Sequence, residues 1–162
     1  MRDEDLPRGV ASFDAETVYV HFDGACQPPK GGGVAGYGFT VEGSRLQHEE
    51  HGLAVPPLHP NATNNVAEYV AAIRALEWLA AQGYRGAVVA SGDSQLVIRQ
   101  MTGEYEVRAE HLRPYHDRLR TLVGEFDRVQ FLWIPREQNL IADRLSKLAI
   151  EEAGSGALRR SQ

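Results

Sequence analysis

The sequence reads as an α/β domain built on one mixed sheet. Three observations carry this reading. Three β-rich segments follow one another near the start with only short turns between them. After them, short apolar segments alternate with segments of helical periodicity, the pattern of parallel strands joined by helices. Finally, AVVA (Ala87–Ala90) is wholly apolar and bounded by turn residues, as a strand buried on both faces would be.

Taken in order, Thr17–Asp23 (TVYVHFD) is β-branched and aromatic and is expected to be the first strand. A Pro- and Gly-rich loop, Gln27–Gly33, follows. Gly36–Val41 and Arg45–Leu53 form two further strands, with Gly43 and Ser44 at a hairpin turn, so the first three strands make an antiparallel meander. After a loop at Leu58–Thr63, a helix is expected from Asn64 to Gln82, stopped by Gly83. The buried strand Ala87–Ala90 comes next. A helix Ser94–Met101 follows, capped by Asp93 or Ser94. Glu110–Val123 has apolar residues at helical spacing, Val129–Ile134 is a strand, and Asn139–Glu152 is a last helix.

The 162 residues suit a single domain, expected over 15–152, with flexible termini at 1–14 and 153–162. The lone cysteine, Cys26, allows no internal disulfide, and no apolar run approaches the ~20 residues of a membrane span. A cytoplasmic monomer is the expectation. The net charge of −5 argues at first sight against a nucleic-acid partner. Four of the 22 carboxylates, however, form the constellation described next, and cations bound there would bring the chain near neutrality. Arg108, Arg113, Arg118 and Arg120 make a modest basic segment, which reads equally as a solvated helix face or as a substrate contact.

Asp23 and Asp93 end strands, while Glu68 and Asp143 stand in the first turns of helices. In open α/β sheets ligands gather beyond the carboxyl ends of the strands, so these four acids can converge there. Glu68 shares a helix row with Ala72, Ala75 and Leu79, a row that should face the sheet. An inward carboxylate without a partner is costly, and clustered carboxylates repel unless cations lie between them. Helix-terminus preferences explain any one of these acids, but not four in this layout. Oxygen ligands point to Mg²⁺ or Mn²⁺ rather than zinc. His48, His51 and His59 lack ligand spacing and are expected to be solvated. Trp78 and Trp133 are expected in the core, Gly31–Gly33 reads as a connector, and Cys26 reads as structural.

Four segments together resemble type 1 ribonuclease H: DGACQPPKGGGVAGYG (Asp23–Gly38), TNNVAEY (Thr63–Tyr69), GDSQLV (Gly92–Val97) and WIPREQNLIADRLSKLA (Trp133–Ala149). The resemblance covers about Val18 to Ala149. It implies a five-stranded mixed sheet of order 3-2-1-4-5 flanked by helices. It also implies two metal ions held by Asp23, Glu68, Asp93 and Asp143, and cleavage of the RNA strand of an RNA–DNA hybrid to give 5′-phosphate and 3′-hydroxyl ends. By the same resemblance, Thr63, Asn64, Asn65, Gln95 and Asn139 would lie along the hybrid. The backbone of Gly24, Ala25 and Cys26 would approach the 2′-hydroxyls. The chain departs from many members in three ways. The loop Ile134–Asn139 is short and has no histidine, which leaves Arg136 or Glu137 as substitutes, or neither. Met101–Arg108 is too short for a basic protruding helix, and the first loop offers no evident substrate-contacting Asn. The rival readings are a non-catalytic nucleic-acid-binding module of the same fold, which would normally have lost an acid, and an integrase or junction resolvase, which lack the TNN-x-x-E and DSQ pattern.

Overall fold

The computed structural model describes residues 17–28 and 31–161, so the expectation for residues 1–14 lies outside the described residues. Five strands form one sheet: β1 (Val18–Gln27), β2 (Val34–Gly43), β3 (Leu46–Leu53), β4 (Ala87–Gly92) and β5 (Arg128–Trp133). Their spatial order is β3-β2-β1-β4-β5, as the resemblance implies. The meander β1-β2-β3 is antiparallel, and β4 and β5 run parallel to β1. The hairpin between β2 and β3 turns on Ser44 and Arg45, both with positive φ (50° and 64°). Two-residue hairpin turns need left-handed residues there to match the strand twist, so the turn sits one residue later than Gly43-Ser44.

The helices are α1 (Asn64–Ala81), α2 (Gln95–Thr102), α3 (Arg113–Val123) and α4 (Leu140–Ser161). The segment expected as one helix from Glu110 is a 3-10 turn, Glu110–Leu112, followed by α3, whose first turn accommodates Pro114 because its missing N–H has no intrahelical partner there. A second 3-10 turn, Arg136–Gln138, fills the short loop before α4. The last helix runs through Ser161, beyond the expected end at Glu152; Gly154 and Gly156 weaken a helix by about 1 kcal/mol each but do not stop one without a left-handed cap. None of the described helices is long and apolar enough to cross a membrane.

The main core lies between the sheet and α1, α2 and α3. Phe22, Phe39, Val20, Tyr69, Leu76, Leu79, Leu112, Leu119 and Leu122 are its largest fully buried members. The row Glu68, Ala72, Ala75, Leu79 is buried throughout, as its spacing requires. α4 packs on β1, β2 and β3 across Gly36 and Gly38. A Cβ on Gly38 would stand 2.5 Å from Leu145 Cβ and 2.7 Å from the Ala142 carbonyl oxygen, so glycine is what lets α4, and Asp143 with it, approach the sheet this closely.

Two side-chain expectations change. Trp133 is 43% exposed, because β5 is the sheet edge and its last residue projects at the rim of the carboxyl ends. Trp78 packs half-buried against the main core, as expected, and stacks on His48 at 4.3 Å between ring centroids. His48 also reaches Glu50 at 3.2 Å, so it is a packed residue rather than a solvated one.

Candidate active site: a carboxylate nest beyond the strand ends

Each acid is placed by a local feature of the chain. Asp23 was expected to end β1 but lies inside it, opposite Gly38, because the pairing with β2 carries β1 on to Gln27; it stands just beyond the last residue that pairs with β4, His21. Gly24 follows it, and a Cβ there would stand 2.3 Å from the Ala67 carbonyl carbon and the Glu68 nitrogen. Glycine therefore brings the first turn of α1 against β1 and sets Glu68 beside Asp23. The Thr63 hydroxyl accepts from Val66 N–H (3.2 Å) and fixes the start of that helix. Asp93 follows β4 directly, and the Ser94 hydroxyl caps α2 by accepting from Val97 N–H at 3.3 Å. The Trp133 indole N–H donates to the Asp93 carbonyl at 3.2 Å, tying the end of β5 to the end of β4. Asp143 comes from the first turn of α4.

Asp23, Glu68 and Asp93 each offer an oxygen within 4.8 Å of the others. Asp23 and Glu68 are 4% and 7% exposed. Burial, followed by the neighbouring acids, pushes the Asp23 carboxyl up to about 7 in the metal-free protein; its hydrogen bond with Glu68 acts in the opposite sense. Burial and then the charge of Asp23 hold Glu68 well above the usual carboxylate range. Asp93 is raised as well, chiefly by burial. Asp143 goes the other way: burial would raise it, but Lys147 above all, with Asp23 and Arg136, holds it below its ordinary value. Lys147 Nζ lies 3.1 Å from Asp143 Oδ2, and Arg136 Nη2 lies 3.7 Å from Asp143 Oδ1.

The nest forms the floor of an open cleft of about 610 Å³. Of the residues expected from the sequence, all four acids, Gly24, Ala25, Cys26, Asn64, Asn65 and Arg136 line it. Three others do not. Thr63 spends its hydroxyl on the helix cap, and exposed Gln95 stands on α2 outside the cleft wall. Asn139 is 1% exposed, donates to the Phe22 carbonyl at 2.9 Å and also stands beside the Asp93 carboxylate, so it braces β1 and the nest from behind the cleft lining. The Cys26 thiol donates to the Ala62 carbonyl at 3.0 Å, a packing role. Glu137 lines a separate hollow with His21 and Thr40, which leaves Arg136 as the residue that the short loop contributes to the cleft.

Four further residues line the cleft: Gln27, Ser94, Trp133 and Lys147. Lys147 was legible as the i+4 neighbour of Asp143 on one helix face. Trp133 was legible only once β5 was known to pair with β4 so that Trp133 faces Gly92. None of Arg108, Arg113, Arg118 and Arg120 lines the cleft; Arg118 pairs with Glu77 at 3.1 Å and Arg113 donates to the Val107 carbonyl at 3.1 Å.

The site fits a divalent cation on its own chemistry. Glu68 Oε2 is buried with no hydrogen-bond partner, an arrangement too costly to keep unless something positive takes it up. The donors are carboxylate oxygens alone, which suits a hard cation.

The sequence profile of a family described as "Reverse transcriptase-like" matches residues 22–149. Ribonuclease HI of Halobacterium salinarum is 36% identical over 136 residues, which is 84% of this chain and 65% of that protein. The crystal structure of the RNase H1 of that archaeon superposes with a TM-score of 0.74 at 33% identity, covering 84% of this chain and 98% of that one. The N-terminal RNase H domain of a Mycobacterium tuberculosis protein superposes with a TM-score of 0.77 at 30% identity, covering 87% and 98%. An RNase H1 isolated from compost, solved in complex with an RNA/DNA hybrid, gives 0.73 at 32% identity, covering 84% and 98%. The chain belongs to the type 1 ribonuclease H family, the class that this sheet order and this four-acid site define. It spans about a third of the length of the curated mycobacterial relatives it matches.

Proposed function

We propose that the chain is an endoribonuclease that hydrolyses the RNA strand of RNA–DNA hybrids, using two Mg²⁺ or Mn²⁺ ions held by Asp23, Glu68, Asp93 and Asp143. The products carry 5′-phosphate and 3′-hydroxyl ends, and the protein acts as a cytoplasmic monomer. The observation that carries this reading is the buried, unpartnered Glu68 Oε2 beside Asp23 and Asp93 on the floor of an open cleft. Family membership and a relative solved with an RNA/DNA hybrid support the substrate class.

Cations bound in the nest would supply water activation and neutralise charge on the scissile phosphate. The residues supply position and selection. Asp23 and Glu68 are held side by side by the close approach of α1 to β1 at Gly24. Asn64 and Asn65 offer amide donors and acceptors on one wall, and the β1 backbone at Gly24–Cys26 forms part of the same lining. That backbone is suited to reading 2′-hydroxyls, which distinguish an RNA strand from a DNA strand. Arg136 and Lys147 add positive charge to a rim that a polyanionic strand must cross, and Arg136 can hold a phosphate but not shuttle its proton near neutral pH.

The test is a hybrid labelled on each strand in turn, beside RNA–RNA and DNA–DNA duplexes, with Mg²⁺, Mn²⁺ or EDTA. RNA-strand cleavage that EDTA abolishes is expected. Cleavage of the DNA strand at a similar rate would refute the strand assignment.

A further inference from the structure

Asp23, Glu68 and Asp93 lie close enough to share a cation, while Asp143, which also reaches Asp23, has a cationic neighbour at each of its oxygens. We propose that Lys147, assisted by Arg136, acts as a cationic latch on Asp143 that holds back the divalent-cation binding step that draws on this carboxylate; the inference rests on the metal-binding reading given above. Lys147 stands one turn beyond Asp143 on α4, so the helix fixes it beside the carboxylate, with Nζ 3.1 Å from Oδ2. Arg136 approaches Oδ1 from the 3-10 turn across the cleft rim, at 3.7 Å. Asp143 is itself only 15% exposed, whereas Lys147 is 53% exposed and free to swing into solvent. A cation arriving at Asp143 meets a unit positive charge beside the oxygen it needs, and must displace it.

The arrangement has two consequences. In the metal-free protein the latch neutralises the fourth acid, which would otherwise add to the repulsion among Asp23, Glu68 and Asp93. In the presence of cations, the nest fills without hindrance, while occupancy at Asp143 follows cation concentration. Lys147 is thus a positioning residue for Asp143, and it sets the concentration at which the site becomes complete.

The experiment is Mn²⁺ titration of the full chain by calorimetry, with bound ions counted by electron paramagnetic resonance. The proteins are wild type, Lys147→Met, Lys147→Arg, Asp143→Asn and the Asp143→Asn/Lys147→Met double variant, with melting curves to verify folding. Methionine keeps the apolar stem and deletes the charge. In Lys147→Met, the Mn²⁺ binding step that Asp143→Asn weakens should tighten about tenfold at low salt, with the difference shrinking as salt rises, as a solvent-exposed charge requires. Lys147→Arg should restore the wild-type affinity, and Lys147→Met should change nothing once Asp143 is gone. Unchanged or weaker Mn²⁺ binding in Lys147→Met overturns the latch alone, as does a shift that persists without Asp143. A wild-type chain that binds no Mn²⁺ overturns the metal reading and the latch with it.

Discussion

Asp23→Asn should make the metal-free protein more stable while ending its activity. Asp23 is 4% exposed, and its carboxyl is pushed from 3.8 up to about 7. The folded chain therefore keeps this proton up to about neutral pH, whereas the unfolded chain releases it near 3.8. Between those values the native state binds more protons, so the stability present at low pH is lost as pH rises from about 4 through 7. At ~1.36 kcal/mol per pH unit, a gap of about three units corresponds to roughly 4 kcal/mol. Sharing of the proton with Glu68 reduces the part assignable to Asp23 alone, and about 2–4 kcal/mol is the working range. Asparagine carries no charge to repel its neighbours, and its side-chain oxygen can still accept from Gly24 N–H, as Asp23 Oδ1 does at 2.9 Å. In EDTA at pH 8 the variant should melt about 5–15 °C above wild type, given ~2–4 °C per kcal/mol for a chain of this size. At pH 4 the two should melt nearly together. Thermal unfolding followed by circular dichroism across pH 4–8 reads both. A variant no more stable than wild type at pH 8, or equally stabilised at pH 4, would show that the nest stores no such repulsion.

The other expected outcomes concern the frame around the nest. Arg136→Ala should slow single-turnover cleavage about 10–1000-fold, the loss of one stabilising contact of ~1.4–4 kcal/mol, with Arg136→Lys recovering part and Glu137→Gln, which faces another hollow, matching wild type. A silent Arg136→Ala would remove the short loop from the chemistry. Gly24→Ala should destabilise by about 1–3 kcal/mol through overpacking against Ala67 and Glu68, and lower turnover more than melting alone accounts for; paired melting and rate measurements decide this. Asn139→Ala should destabilise by about 1–3 kcal/mol, because the Phe22 carbonyl loses its donor, and denaturant unfolding gives the value directly.

The acids were legible in the sequence because position alone constrains them. Asp93 directly after a strand and an inward-facing glutamate in an alanine row have few places to go, and the structure gathers them with Asp23, although β1 runs on past Asp23 to Gln27. The sheet order was implied by resemblance; the meander and the parallel strands were readable from the residues. What stayed hidden depended on tertiary register. Trp133 looks like core until β5 is known to be the edge strand, where its last residue meets the Asp93 backbone rather than a facing helix. Asn139 looks like a cap or a substrate contact, and only the structure shows that it is buried, with its amide on the Phe22 carbonyl. The arginines of the α3 region looked available, but none of the four lines the cleft, and Arg118 is engaged by Glu77, 41 residues away. Lys147 needed only its spacing from Asp143, which was visible from the start.

The central claim is that buried, mutually repelling carboxylates form a cation-dependent centre for cleaving hybrids, and Glu68→Gln tests it most directly. The measurement is the single-turnover rate on an RNA-labelled hybrid against Mg²⁺ concentration for wild type and variant, with EDTA as the zero point. The account predicts no cleavage in EDTA, saturable Mg²⁺-dependent cleavage by wild type, and a loss of at least about 100-fold in the variant, a barrier increase of ~2.7 kcal/mol, although the variant stays folded. Cleavage that persists in EDTA, or a variant that cuts at the wild-type rate, would contradict it.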